Sequence, residues 1–464
     1  MSQPAPGRLL HILGLGFGLA GAVGGTIGAG ILRTPGLVAA QLPSGPLVLA
    51  AWLIGGVYAL LGAVCIAELA AALPRAGGWY VYAERAFGRR VGLLVGWTDW
   101  LAHCIGLAWV ATTVGEYGQA LLPTAIPQEP FVARLLALLA IGLFSLIQLR
   151  GLRAGSASQQ WLSLAKALAF LALVAGCFLL PSPPLAAAAQ SGQAVAPQLA
   201  VEPPAAALAA VLALQAVITT YDGWASPVYF AEEFSDPARD LPRSLIGGVL
   251  AVMALYLLIN AALLHVLPLP LLAQATLPAA LAASALVGPL GGALITAVAL
   301  VALLGLINTV VMAAPRILYG LGRDGLLPAL TSQVSAGGTP TAALLLTSGA
   351  SALLVLVGSF QQLLALGALL YVSLPLAGIA ALLALRWREP DLPRPFRSWA
   401  YPLPPLLVAA VSLAFLIAAT ASDPPIALAA AALVALALPG ALLAERLGWL
   451  TAVAEDPPSA PMLP

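Results

Sequence analysis

Apolar stretches of about twenty residues, each long enough to cross the hydrocarbon core of a bilayer as a helix, recur along the whole of this 464-residue chain. Twelve such spans are expected, at roughly 9–40, 45–73, 91–122, 131–150, 159–180, 205–231, 243–267, 288–314, 340–357, 361–385, 402–420 and 425–444. Only 8% of the residues are charged and 61% are hydrophobic, against about 25% charged in an average soluble domain, so a soluble globular fold is excluded. The connections alternate. Arg8, Arg75, Arg85, Arg89, Arg90, Arg150, Arg153, Arg239, Arg243, Arg316, Arg323, Arg386, Arg388, Arg394, Arg397 and Arg446 fall on one side. The loops near 181–203 and 268–287 on the other side hold no Lys or Arg. An even number of spans with both termini cytoplasmic follows from the positive-inside rule. The N-terminus shows no small-residue cleavage site, so no cleaved signal peptide is expected. The tail 455–464 reads as disordered.

The first span carries its own interruption. Gly24, Gly25, Gly28, Gly30 and Gly36, with Pro35, disfavour a continuous helix there. Backbone freed at membrane depth must be satisfied by protein or water, so the break, placed at 24–30, is expected to line a binding site. Span six repeats the signal: Thr219-Thr220-Tyr221-Asp222-Gly223-Trp224-Ala225-Ser226-Pro227 puts a charge, a glycine and a proline into an apolar run, with its break at 219–227. The two breaks lie five spans apart. Five is odd, so a second half repeating the first begins on the opposite side of the membrane, which is the layout of an inverted-repeat carrier. The divisions expected are a first repeat at 1–180, an external loop at 181–204, a second repeat at 205–385, and two further spans with a tail at 386–464.

Other classes fit less well. A net charge of +1 offers no electrostatic attraction for nucleic acid. Cys65, Cys104 and Cys177 are scattered through apolar runs and read as small buried hydrophobes; with His11, His103 and His265 they show no metal-ligand spacing, so neither a metal nor another cofactor is expected. A sole lysine, Lys166, leaves no phosphate-binding loop of the ATP-driven type. No H-E-x-x-H or G-x-S-x-G motif supports an intramembrane enzyme, and paired breaks suit a carrier better than a channel.

Four groups of residues resemble those of one known group, the amino acid–polyamine–organocation superfamily, and within it the bacterial permeases of the L-type and cationic-type branches. They are Gly28-Ala29-Gly30-Ile31 with Pro35-Gly36, and Glu68-Leu69 with Pro74-Arg75-Ala76-Gly77-Gly78-Trp79-Tyr80-Val81-Tyr82. The third is Tyr221-Asp222-Gly223-Trp224 with Glu232-Glu233 and Asp236-Pro237-Ala238-Arg239-Asp240-Leu241-Pro242. The fourth is Pro315-Arg316-Ile317-Leu318-Tyr319 with Gly322-Arg323-Asp324-Gly325-Leu326-Leu327-Pro328, and Pro390-Asp391-Leu392-Pro393-Arg394-Pro395 agrees with it. The resemblance covers spans one to ten. It implies an all-α polytopic membrane protein with twelve transmembrane helices, a five-plus-five inverted repeat (LeuT-like) broken in helices 1 and 6, and two extra C-terminal helices. It also implies alternating access and sodium-independent transport of amino acids, as a symporter or an antiporter.

Carried onto this chain, the resemblance has N–H groups around Ala29, Gly30 and Ile31 receive the substrate carboxylate. Carbonyls near Thr26 and Ile27, and near Thr219, Thr220 and Asp222, receive its α-ammonium; Gly28, Tyr221 and Gly223 complete the two breaks. Where related exchangers close an aromatic side chain over the substrate, this chain has the small Thr219 and Thr220, which leaves pocket size and gate open. Lys166 lies about seven residues, or roughly 10 Å, into span five. It is either a lysine snorkelling to the interface or a coupling group that bridges the first break and span eight in place of a sodium ion. Asp222 is either structural, capping a half-helix or pairing with Arg33, or a receptor for cationic amino acids and amines. Glu232, Glu233 and Arg316, with Arg239, Asp240 and Arg243, read mainly as a solvated, salt-bridged face, some of which locks an inner gate. Arg33, Trp224 and Tyr371 are further gate candidates, although packing is the plainer reading of Tyr371. Glu68, Asp99 and Glu116 have no assigned role.

The expected substrate is a neutral L-amino acid, with proton symport and exchange both open. The loop near 123–130 has no cysteine, so no disulfide-linked heavy chain is expected. Membrane lipid is the surrounding partner, and the expected state is a monomer or weak homodimer. The alanine-rich, lysine-poor composition fits a bacterial inner membrane.

Overall fold

The computed structural model describes residues 9–28, 30–122, 129–181, 206–288 and 290–446, and helices carry the fold throughout them. The first span is α1 (Leu15–Thr26) and α2 (Gly30–Gln41), set at 49° to each other. Then come α3 (Gly45–Ala72), α4 (Trp79–Phe87), α5 (Arg89–Ala120), α6 (Pro130–Leu149) and α7 (Leu152–Leu179). The sixth span is α8 (Ala206–Tyr221), a turn, and a 3-10 segment at Ser226–Glu233. It is followed by α9 (Pro237–Val266), the short α10 (Leu269–Gln274) and α11 (Pro278–Val287), and α12 (Leu290–Arg323). The chain continues through α13 (Thr341–Val357), α14 (Phe360–Arg388), α15 (Leu403–Ser422), α16 (Pro424–Ala435) and α17 (Ala437–Arg446).

Nine of the described helical segments are long and apolar enough to span a bilayer, or ten with α1 and α2 taken as one. Two of the twelve expected spans fall short. The ninth, α13, has 17 residues, and the twelfth is split between α16 and α17. The connection expected as a loop near 268–287 instead folds into α10 and α11, whose residues 279–284 are buried. It packs against α2 so closely that a Cβ on Gly36 would lie 2.7 Å from the carbonyl oxygen of Ala275. The loop segments 182–205 and 123–128 and the tail lie outside the described residues.

Helix ends follow local chemistry. Pro130 and Pro237 sit in first turns, where a missing N–H costs nothing, and the Asp236 carboxylate accepts the N–H of Arg239. Gly151, at φ +110°, turns the chain between α6 and α7. Helix α1 sits at the centre, against α7, α9 and α12, and α2 meets α8, α10 and α11. Apolar side chains on the outer faces, Leu139, Leu146, Leu179, Leu353 and Ile417 among them, are exposed, as lipid-facing surfaces require. All three cysteines are free and buried.

Candidate functional site

Both interruptions exist, and both are narrower than the glycine runs led us to place them. Gly24, Gly25 and Thr26 remain in α1, and the helix is lost only between Ile27 and Gly30. Thr219, Thr220 and Tyr221 close α8, and the second turn covers 222–225. Packing explains the difference. A Cβ on Gly24 would lie 1.9 Å from Gln159 Nε2, and one on Gly25 would lie 2.2 Å from Ser226 Oγ. These glycines therefore serve close helix approach rather than helix disruption. Ala29 lies outside the described residues.

The two breaks meet backbone to backbone. Gly223 has φ +100°, a conformation that glycine takes without strain, and a Cβ there would stand 2.2 Å from the carbonyl oxygen of Gly25. Two further ties flank this contact. Thr34 and Thr220 hydroxyls bond at 2.8 Å, joining α2 to α8. The hydroxyl of Tyr256 on α9 reaches Thr26 O at 3.1 Å and Thr220 O at 3.3 Å. One hydroxyl hydrogen shared by two carbonyls leaves acceptor capacity at both.

Lys166 is fully buried, and its ammonium donates to Gly24 O at 2.8 Å and Ile27 O at 2.9 Å. A Cβ on Gly305 of α12 would lie 3.2 Å from Lys166 Nζ, so the ammonium sits between the first break and the eighth span. Because α7 begins at Leu152, Lys166 is about 21 Å along a helix of about 42 Å. That is midway along the helix and fully buried, which corrects the shallower placement and excludes snorkelling. The rest of the α7 face behaves alike. Ser163 Oγ donates to Ala20 O at 2.8 Å, and Gln159 Nε2 donates to the same carbonyl at 3.3 Å. Gln159, Ser163 and Lys166 form one stripe at helical spacing, matched to the carbonyls of Ala20 and Gly24 on α1 and of Ile27 just after it.

Asp222 is accessible, and its carboxylate accepts the Gly223 N–H at 2.9 Å. Among the described residues it makes no ion pair with the exposed Arg33, so that structural alternative is set aside. Thr219 and Gly30 are accessible beside it, and Tyr58, His103 and Tyr371 lie within electrostatic range of Asp222. His103 and Tyr371 have ring centroids 5.6 Å apart, which brings Tyr371 to this side of the site. Behind them Asp99 contacts His103 Nδ1 at 3.1 Å and accepts from Tyr229 at 3.0 Å, while Trp79 donates to Tyr229 at 2.9 Å. Trp224 does not line the accessible space. It is wedged against Trp79, with ring centroids 6.4 Å apart, and against Gly62.

The sequence pattern of the amino acid permease family matches residues 14–441. The chain belongs to that family. The superfamily is the amino acid–polyamine–organocation one that the motifs resemble. The permease is 26% identical to the serine/threonine exchanger SteT of Bacillus subtilis (strain 168), covering 86% of this chain and 89% of that protein. It is 29% identical to the large neutral amino acids transporter small subunit 2 of Rattus norvegicus, covering 85% and 73%. To the b(0,+)-type amino acid transporter 1 of Mus musculus it is 28% identical, covering 89% and 83%.

At the arginine-bearing end of the permease, the expected solvated face is partly a buried one. Arg316 and Glu233 form a two-pronged pair at 3.1 Å, with side chains 1% and 0% exposed. Arg316 also donates to Met312 O and lies over the Phe230 ring. Burial of both side chains keeps water from the pair, and this overturns the surface reading for these two residues. Beside it Glu232 bonds Arg323 and the Ala76 N–H, and Asp324 accepts from Arg75, Arg323 and Tyr80. Burial pushes the Asp324 carboxyl up, but Arg323 and Arg75 outweigh it and hold it below the usual carboxylate range. Arg239 and Arg243 stand apart from this cluster and are exposed. Glu68, which had no role assigned, holds Arg386 at 2.6 Å and Arg394 at 3.1 Å and accepts the Ser398 N–H.

The reading of the sequence passed over Tyr256 and the Gln159–Ser163 pair. The stripe was legible, since polar residues at i, i+4 and i+7 in an apolar helix mark a buried face. Tyr256 carries no such signal among the tyrosines of the permease.

Proposed function

We propose that this permease is a sodium-independent exchanger of neutral L-amino acids that works by alternating access on a five-plus-five inverted repeat. The observation that carries the proposal is the Lys166 ammonium bonded to Gly24 O and Ile27 O, where the first break meets the eighth span. A fixed cation at that point supplies the charge that a sodium ion would bring, so no ion needs to bind. Free N–H groups in the first turn of α2, at Gly30 and Ile31, attract the substrate carboxylate. Spare lone pairs on Thr26 O and Thr220 O take the α-ammonium. One relative is named for serine/threonine exchange, which supports exchange, and another for large neutral amino acids, which supports a neutral substrate. Glu232, Glu233, Arg316 and Arg323 form the inner lock. The permease acts in a bacterial inner membrane with its termini cytoplasmic, and without a disulfide-linked partner.

A second reading has Asp222 select cationic amino acids or amines. It is favoured by a carboxylate that is accessible and has no ion pair among the described residues. Proteoliposomes separate the two. Uptake of labelled neutral amino acids that requires internal substrate and ignores sodium supports the exchanger. Uptake of arginine or amines, abolished in Asp222→Asn, supports the second reading. Uptake into empty vesicles driven by an inward proton gradient replaces exchange with symport.

A further inference from the structure

A groove of about 500 Å³ opens on the outer surface of the bundle, away from the substrate site, between the start of α9 and the connection after α14. Its α9 wall carries Arg239 and Arg243, then Ile246, Gly247 and Leu250. Pro395, Phe396 and Trp399 form the facing wall. The two arginines are one turn apart on one helix face, both exposed, and neither is in an ion pair among the described residues. Nearby acids do not compete for them. Asp236 caps the Arg239 N–H, Asp240 points toward Gly14, just before α1, and neither lines the groove. From Arg239 to Leu250 the helix rises about 16 Å, so the groove runs from a cationic mouth to an apolar depth. The facing wall is held in place. Ser398 donates its N–H to the buried Glu68 at 2.7 Å, Arg394 pairs with the same carboxylate, and Phe396 packs edge-on to Trp399 at 5.9 Å. Trp399 is nonetheless 57% exposed and Leu250 42%, so both walls present open apolar surface.

We propose that this groove binds an anionic phospholipid, with the phosphate between Arg239 and Arg243 and one acyl chain along Ile246, Leu250 and Trp399. Guanidinium groups recognise phosphate oxygens with paired N–H bonds, and an indole at the level of the headgroups is a common interfacial anchor. A soluble anion would use the arginines and leave the apolar walls without purpose. A lipid uses both.

The test takes the full-length protein in detergent, titrated with phosphatidylglycerol or with phosphatidylcholine and read by native mass spectrometry. Phosphatidylglycerol should be retained preferentially. Arg239→Gln/Arg243→Gln should weaken that retention roughly thirty-fold, at about one kcal/mol per basic residue near anionic lipid. Trp399→Ala should weaken it less, and Arg150→Gln/Arg153→Gln, which removes as much charge elsewhere, should leave it unchanged. Equal loss in both arginine pairs would mean general charge and overturn the proposal. Displacement by inorganic phosphate with no effect of Trp399→Ala would make the ligand a free anion and also overturn it. A photoactivatable phosphatidylglycerol on the unaltered protein gives a reading that does not depend on variant folding. It should label residues 239–250 or 395–399, and labelling confined to other surfaces refutes the site.

Discussion

The middle of this permease and its arginine-bearing end solve the problem of buried polarity in opposite ways. In the middle, one ammonium and one phenol share backbone carbonyls exposed by two helix breaks, and Asp222 faces accessible space. At the end, carboxylates and guanidinium groups are matched, and Glu233–Arg316 is sealed from water. Carbonyl dipoles hold a charged ligand without being charged themselves, so they can release it. A sealed ion pair is stable only while both members are present, because each alone is left charged in a dry site. The comparison therefore separates a surface suited to exchanging partners from one suited to being wholly made or wholly broken, which is what the proposed alternating access asks of a site and of a lock.

The largest effect expected is at the lock. Glu233→Gln leaves Arg316 charged and unmatched and should cost about 3–5 kcal/mol. Thermal unfolding in detergent measures it, and Glu233→Leu/Arg316→Met should recover much of the loss. If the single and double variants melt alike, the pair is not an interdependent unit. Next comes the contact between the breaks. Gly223→Ala places a methyl against Gly25 O in a strained backbone and should reduce exchange at least ten-fold. Counterflow in proteoliposomes reads this, and near-normal exchange would show that the breaks need not touch.

Lys166→Ala should follow, with exchange lost while the protein still assembles. Lys166→Arg should not rescue it, since Gly305 leaves no room for the larger head group. Tyr256→Phe removes one neutral hydrogen bond, about 1 kcal/mol, and should raise the substrate KM a few-fold with little change in maximal rate. Smallest is acid loosening at Asp324. Its carboxyl is held below the usual range, so its contribution is complete above that range and disappears as pH falls through the depressed value. Unfolding temperatures should therefore drop at low pH, and less so in Asp324→Asn.

Sequence carried the architecture further than the site. Ten of the twelve span positions and both breaks are readable because apolar length and glycine–proline interruption act locally. The extent of each break is not, since whether Gly24 ends a helix or admits Gln159 depends on a neighbour far along the chain. The depth of Lys166 is hidden in the sequence for a related reason. Residues 152–158 look polar enough to be a loop, yet Leu152 N–H bonds Gly337 O, and the helix starts there. Glu233 and Arg316 lie 83 residues apart, and neither shows from its surroundings in the sequence that water is excluded.

The Gly25–Gly223 contact has a mechanical consequence. It lies near the C-terminal end of α1, where it would serve as the pin of a lever. Helix α1 extends about 15 Å from that pin, and a tilt of about 10° would swing its far end by about 3 Å while barely moving the pin. Bare backbone against bare backbone is a good bearing, having no side chains to interlock and resist rotation. A movement too small to disturb the carbonyls around a substrate would be magnified at the far end into one large enough to part a pair of charges.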